Sequence, residues 1–240
     1  MYNLLISLSI GLLSGTLVSF SPLGLWGGAF VFLIMTAASF FFATRIVMKK
    51  VAAIMEVVQK DLQANHPDKA IKVLESALVY APWQFYLKGQ IRSQIGMIHF
   101  LRRDFSTAFE FLKEGFIRNW PAMGMLAVTY MKKSKSTLMI DTFEKAVAAN
   151  KKEPMLWNLY AYCLEETGQH GKAIAAMEKG MKKAGTHEIL KANLTLLREG
   201  KKMKMMEWGE LWYQFHLEKT GNLIREQTRA VQGRRKMPMR

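Results

Sequence analysis

The chain has 240 residues, half of them hydrophobic, carries a formal net charge of +15 and contains one cysteine. That length holds one domain of ordinary size with an appendage, and a lone Cys163 excludes any intrachain disulfide and suits a reducing compartment. The basic excess leaves three readings, an affinity for nucleic acid, an affinity for anionic lipid, or plain solubility. No Lys, Arg, Asp or Glu occurs in residues 1–44, so the whole excess belongs to the chain from Arg45 onward.

Residues 3–20 and 25–48 are two apolar runs, each close to the roughly 20 residues that cross a bilayer core as a helix. Between them stand Ser21-Pro22-Leu23-Gly24 and Trp26-Gly27-Gly28. Pro and Gly interrupt helices and Trp suits a membrane interface, so the segment reads as a tight transmembrane hairpin. Neither run has a polar face, which argues against a buried soluble hairpin, and Met1-Tyr2-Asn3 lacks the basic side chain of a secretory signal. Arg45, Lys49, Lys50 and Lys60 follow the second run while the loop is uncharged, so the positive-inside rule puts both termini and the bulk of the chain in the cytoplasm. Compact size and the lack of an organelle signal point to a bacterial inner membrane. Ser7, Gly11, Gly15 and Ser19 recur at every fourth position of the first span. Such a stripe allows close approach, either by the second span of the same chain or by a partner's membrane helix. No Pro or Gly occurs in residues 44–64, so the second span is expected to run on into the next helix.

Beyond Lys50 the pattern becomes amphipathic helices of about a dozen residues separated by short polar breaks, with no strand alternation. The clearest unit, residues 154–187, has Trp157, Tyr160-Ala161 and Leu164 on one helix, a break at Thr167-Gly168-Gln169, then Ala173, Met177 and Gly180 on the next. One period earlier stand Met123, Leu126-Ala127, Tyr130, Phe143 and Ala146, with Met139 where a small residue is expected. Further upstream come Ile95-Gly96, His99, Ala108, Leu112 and Gly115, and before them Ile54, Val57-Val58, Ala70, Leu74, Ala77 and Pro82. This series resembles the tetratricopeptide repeat, a helix-turn-helix unit of about 34 residues. Small residues sit where its paired helices cross, and bulky ones fill the gap to the next pair.

The resemblance covers residues 51–187 and implies an all-α fold of about four helix pairs following the hairpin. Three segments result: a hairpin over 1–48, a repeat domain with a capping helix near 189–197 over 49–199, and a C-terminal part over 200–240. The last is expected to hold an amphipathic helix over 203–219, with Met206, Trp208, Leu211, Trp212 and Phe215, and then a flexible basic tail with Arg234-Arg235-Lys236.

No constellation supports catalysis, and no cofactor or metal is expected. His66, His99, His170, His187 and His216 lack the spacing that puts two ligands on one helical turn. Cys163 has no neighbour in sequence to activate it and reads as a small buried hydrophobe. Glu165-Glu166 reads as surface charge, and no glycine cluster has the lysine of a phosphate loop.

The resemblance also implies a concave groove lined by the first helix of each pair. Projection places Met55, Leu62, Met97, Phe100, Met131, Met155, Asn158 and Tyr162 there. Methionine is flexible and polarizable, so this surface suits an amphipathic helix from a partner protein. Family members that clamp a C-terminal carboxylate do so with Lys and Asn, and Asn158 alone matches, which argues against that mode. The chain's own 203–219 helix fits the groove equally, and a membrane surface is a third place for it, with Lys201, Lys202 and Lys204 alongside. The basic clusters, including Lys132-Lys133 and Lys135, suit anionic lipid. No recognition motif interleaves with them, which argues against nucleic acid. The expected function is a membrane-anchored adaptor or assembly protein, not an enzyme, holding protein partners at the cytoplasmic face. The alternatives are a structural subunit of a membrane complex and an accessory protein to a membrane-associated enzyme pathway.

Overall fold

The computed structural model describes residues 1–22, 24–185 and 187–218, and every regular element among them is helical. By internal contact the chain divides into two compact units, Met1–Ala122 and Met123–Arg240.

The first unit opens with α1 (Tyr2–Ser19) and α2 (Gly24–Gln63). Both are long and apolar enough to cross a membrane. Their large side chains point outward, with Leu17 75%, Leu25 77% and Phe30 65% exposed, the reverse of a soluble core helix. The two helices meet through small residues. A Cβ on Gly11 would lie 2.9 Å from the Phe32 carbonyl oxygen, and one on Gly28 would lie 2.6 Å from that of Gly15. The pairs Gly11 with Thr36 and Gly15 with Phe32 set an antiparallel register. As expected from the absence of breakers, α2 runs on for 40 residues and its last turns form the first helix of a repeat pair.

That pair is completed by α3 (Pro67–Ala77), whose start is favoured by Pro67 in the first turn and the acidic Asp68 near the positive helix end. Its core joins Val51 and Val58 of α2 to Ala70, Leu74 and Ala77 of α3. Val57, expected beside Val58 in this core, is instead 47% exposed, because the buried positions Val47, Val51 and Val58, spaced by four and seven, share one face of α2 and Val57 falls outside it. The second pair is α4 (Leu87–Leu101) with α5 (Phe105–Leu112). Asp104 caps α5 by accepting from the Thr107 amide, and Gly96 lets Leu112 approach to where a Cβ would meet its Cγ at 2.8 Å.

The second unit contains most of α6 (Trp120–Lys132), then α7 (Ser136–Ala149), α8 (Pro154–Glu166), α9 (His170–Ala184) and α10 (Glu188–Arg198). Met139, oversized for its expected slot, is nevertheless fully buried. Phe143 of α7 stacks on Tyr160 of α8 at 4.9 Å, and the Tyr160 hydroxyl donates to Glu144. Gly180 of α9 faces Trp157 of α8, and a Cβ there would lie 2.7 Å from Trp157 Cγ.

The C-terminal segment departs from expectation. The single helix over 203–219 is replaced by a one-turn 3₁₀ helix (Met205–Trp208) and the short α11 (Glu210–Tyr213). Gly209 between them has φ +57 and ψ −131, a backbone state that glycine adopts without steric cost and that no helix tolerates. Residues 219–240, with the basic tail, lie outside the described residues.

Gly180→Ala is expected to destabilise the protein by about 1–2 kcal/mol, because overpacking against Trp157 outweighs the gain in helix propensity. The ring has little freedom to yield, since its Nε1 donates to the Lys151 carbonyl at 3.0 Å. Gly171→Ala, where a Cβ meets nothing within 4 Å, is expected to be neutral or to stabilise by up to about 1 kcal/mol. Denaturant melts of the two variants check the contrast.

Candidate functional site

The first helices of the successive pairs in the second unit, α6 and α8, together with α10, carry a surface on which the chain's own C-terminal segment lies. Phe215, fully buried, reaches α6, where a Cβ on Gly124 would stand 3.0 Å from its Cε1. Trp212, also fully buried, meets Tyr162 of α8 edge-on at 4.8 Å, and its Nε1 donates to Glu218. Met205 is 2% exposed. Trp208 stacks on His187, the residue that precedes α10, at 4.8 Å. At the α6 end, Lys132 Nζ donates to the His216 carbonyl at 3.1 Å.

Two buried asparagines give this surface its polar grip. Asn193 of α10 and Asn158 of α8 stand 35 positions apart, close to one repeat period, and are 1% and 0% exposed. Asn193 Nδ2 donates to Asn158 Oδ1 at 3.1 Å, while Asn193 Oδ1 accepts from the Lys204 backbone amide at 2.7 Å. The group bound by Asn193 Oδ1 is a main-chain N–H, which any residue but proline supplies, while Asn193 Nδ2 also lies 4.0 Å from the Met205 sulfur.

The eight groove positions named from sequence fall in both units. In the second, Met155 and Asn158 are buried, Tyr162 is half-buried under Trp212, and Met131 is half-buried. In the first, Phe100 is fully buried and meets Phe105 edge-on, Met55 and Met97 are half-buried, and Leu62 is 41% exposed. Asn193 and Met205 were not among the named positions. The signal that could have found Asn193 was its place one period after Asn158. The stripe named on the first apolar helix faces α2 of the same chain: Ser7 is fully buried, Gly11 and Gly15 abut Phe32, and Ser19 fits against Gly28.

Residues 142–175 match the family model described as tetratricopeptide repeat. The chain carries a tetratricopeptide repeat. The match takes in the end of α7, all of α8 and the start of α9, and so straddles the helix pair best marked by small and bulky positions. Two solved structures, titled as crystal structures of MamA, are similar, each at 18% identity and a TM-score of 0.48. One comparison covers 67% of this chain and 94% of that one, the other 79% and 97%. No curated protein matches the chain.

Within the tetratricopeptide unit, the groups with shifted acidity are explained by packing. Burial pushes the Tyr160 and Tyr162 phenols upward, assisted by Glu144 for the first and by Glu166 and Glu218 for the second. Cys163 is completely buried in α8, and burial, with Glu166 adding to it, holds its thiol neutral far above the ordinary range. Among the described residues no group of three or more His, Cys, Asp or Glu is arranged to hold a metal. His99 bonds Asp104 and stacks on Phe111, and His170 bonds Glu165, so each has a structural partner.

Two outcomes test this description. Asn193→Ala strands the Lys204 amide and removes the partner of Asn158, and is expected to cost about 1–3 kcal/mol in a denaturant melt with a rise in apolar-dye binding; an unchanged melt would show that the segment is not held there. Cys163 is expected to resist a thiol-specific chromogenic reagent at pH 8 in the native protein and to react stoichiometrically in denaturant. Free reaction in the native state would contradict its burial.

Proposed function

We propose that this protein is a membrane-anchored adaptor, without catalytic activity of its own, that holds partner proteins at the cytoplasmic face of a bacterial inner membrane. The tetratricopeptide fold is a protein-interaction fold, which supports the general role. One observation carries the specific reading: the repeat surface of the second unit already holds a peptide segment of two short helical turns broken at Gly209, seated by its buried aromatic side chains and one backbone amide. A surface that holds its own chain in this way has the chemistry to hold another.

Membrane attachment is supported by α1 and the first part of α2, uncharged and outward-facing in their large side chains. The contact of the small-residue stripe with α2 favours packing within the chain over a docking face for a partner's helix. Lys49 and Lys50, exposed just past the uncharged part of α2, suit an anionic leaflet. For the partner we favour an amphipathic helix on the first unit, where Met55, Leu62 and Met97 keep partial exposure while the second unit's groove is taken by residues 203–218.

The full-length protein, tagged and purified in gentle detergent from its host's membranes, is expected to bring specific chains with it, identified by mass spectrometry. The double variant Leu62→Asp, Met97→Asp should lose them while keeping its helical circular dichroism. The same chains on both proteins would move the binding site elsewhere, and no chains on either would sink the adaptor reading. Release of the wild type from membranes by alkaline carbonate would sink the anchoring.

A further inference from the structure

The connection from α3 to α4 occupies positions 78–86, more than twice the 150–153 connection between α7 and α8. It reads Leu78-Val79-Tyr80-Ala81-Pro82-Trp83-Gln84-Phe85-Tyr86, and its surface is apolar. Val79 is 66% exposed, Tyr86 68%, Phe85 43% and Trp83 36%. Tyr86 sits at φ +61, a left-handed conformation unfavourable for a bulky side chain, and its ring leans on Phe116 at 5.2 Å. Strain of this kind persists where surrounding contacts impose it, and it clusters at sites of function.

The segment is also tied to the apolar hairpin, through Tyr80, Pro82, Trp83 and Gln84. The Tyr2 amide donates to the Pro82 carbonyl at 3.0 Å, and the Tyr2 ring meets Trp83 edge-on at 5.3 Å. Asn3 Nδ2 and Thr44 Oγ1 both donate to Gln84 Oε1 at 3.4 Å. Lys50 Nζ stands 6.0 Å from the centre of the Tyr80 ring. Together these bonds fix the height of the segment along the hairpin, and the height is informative. Residues 24–44 of α2 are uncharged and span roughly 31 Å at 1.5 Å per residue, close to the thickness of a hydrocarbon core. Thr44 ends that stretch, Arg45 follows it, and Tyr2 begins α1 at the same level. Segment 78–86 is therefore tied to the hairpin where apolar surface gives way to charge, the level at which Trp and Tyr are favoured in membrane proteins. Phe41 and Phe42, 59% and 63% exposed, lie within one turn before Thr44 on α2.

We infer that segment 78–86 is a third membrane contact, in which Val79, Trp83, Phe85 and Tyr86 enter the headgroup and acyl boundary of the bilayer that the hairpin crosses, so that the first repeat pair is pinned to the lipid surface. The partner is the phospholipid interface itself. The inference rests on the proposed membrane insertion of α1 and α2, and its test separates the two.

Single nitroxide labels on Val79→Cys and Phe85→Cys, in the full-length protein reconstituted in phosphatidylcholine–phosphatidylglycerol vesicles, report local access to oxygen and to a water-soluble nickel chelate. Cys163 is buried and stays in place. Phe30→Cys, within the uncharged stretch, marks hydrocarbon, and Leu138→Cys, an exposed site of α7 at 43%, marks water. The expected result is an oxygen-to-nickel ratio at both loop sites shifted from the Leu138 value toward the Phe30 value. Loop labels that match Leu138 while Phe30 reads as hydrocarbon would overturn the inference and leave the anchor standing. Low access to both reagents at the loop would overturn it in favour of a protein contact. A Phe30 label in water would remove the anchor and the inference together.

Discussion

A helix pair has an apolar face that a neighbour must cover, and in the second unit the cover must also answer two buried asparagines. Asn158 and Asn193 leave a polar centre in an otherwise apolar surface, and polar groups taken out of water are costly unless bonded. Covering that surface with a helix would supply side chains only, because a helix interior uses its own amides. The returning segment avoids the difficulty by being irregular. Lys204 lies just before the Met205–Trp208 turn, its amide is free of helix bonding, and it is donated to Asn193. Gly209 then breaks the backbone direction, so that Trp208 turns to His187 while Trp212 and Phe215 reach Tyr162 and Gly124. The form of the occupant follows from what the surface demands of it.

In the first unit the governing feature is the continuity of α2. One helix contributes both an uncharged stretch of hydrocarbon length and the core residues Val51 and Val58 of the first repeat pair. Any tilt of the uncharged stretch is transmitted to that pair without a hinge, since α2 has neither Pro nor Gly from Ala29 to Gln63 and such a helix bends only gently. The bonds from Tyr2, Asn3 and Thr44 to segment 78–86 brace the same junction from the side. On the proposed membrane reading, the repeat pair is held in a set attitude to the lipid and does not swing on a linker.

The two units thus present their repeat surfaces in different states. The second holds residues 203–218, with its aromatic residues sealed in; the first leaves Leu62 and parts of Met55 and Met97 uncovered. A partner that competes for the second surface must displace Trp212, Phe215 and Met205 together, whereas one that uses the first needs no such exchange. That asymmetry is why the proposed binding face is assigned to the first unit.

Local pattern determined a great deal. The lack of charge over residues 1–44, the unbroken run into α2, and the small and bulky positions of the repeat pairs are all expressed in spacings of three, four or seven residues, the distances at which one helix shows one face. The crossing points at Gly96 and Gly180 and the stripe at Ser7, Gly11 and Gly15 were legible for the same reason. Tertiary structure alone decided what lies in the groove and what segment 78–86 is tied to. Asn193 meets Lys204, Tyr162 meets Trp212 and Tyr2 meets Pro82 across separations that no helical period reports. The apolar residues of a stretch such as 203–218 state that part of it will be buried; the glycine inside it and the buried Asn193 that takes the Lys204 amide decide that it lies there as two short turns and not as one continuous helix.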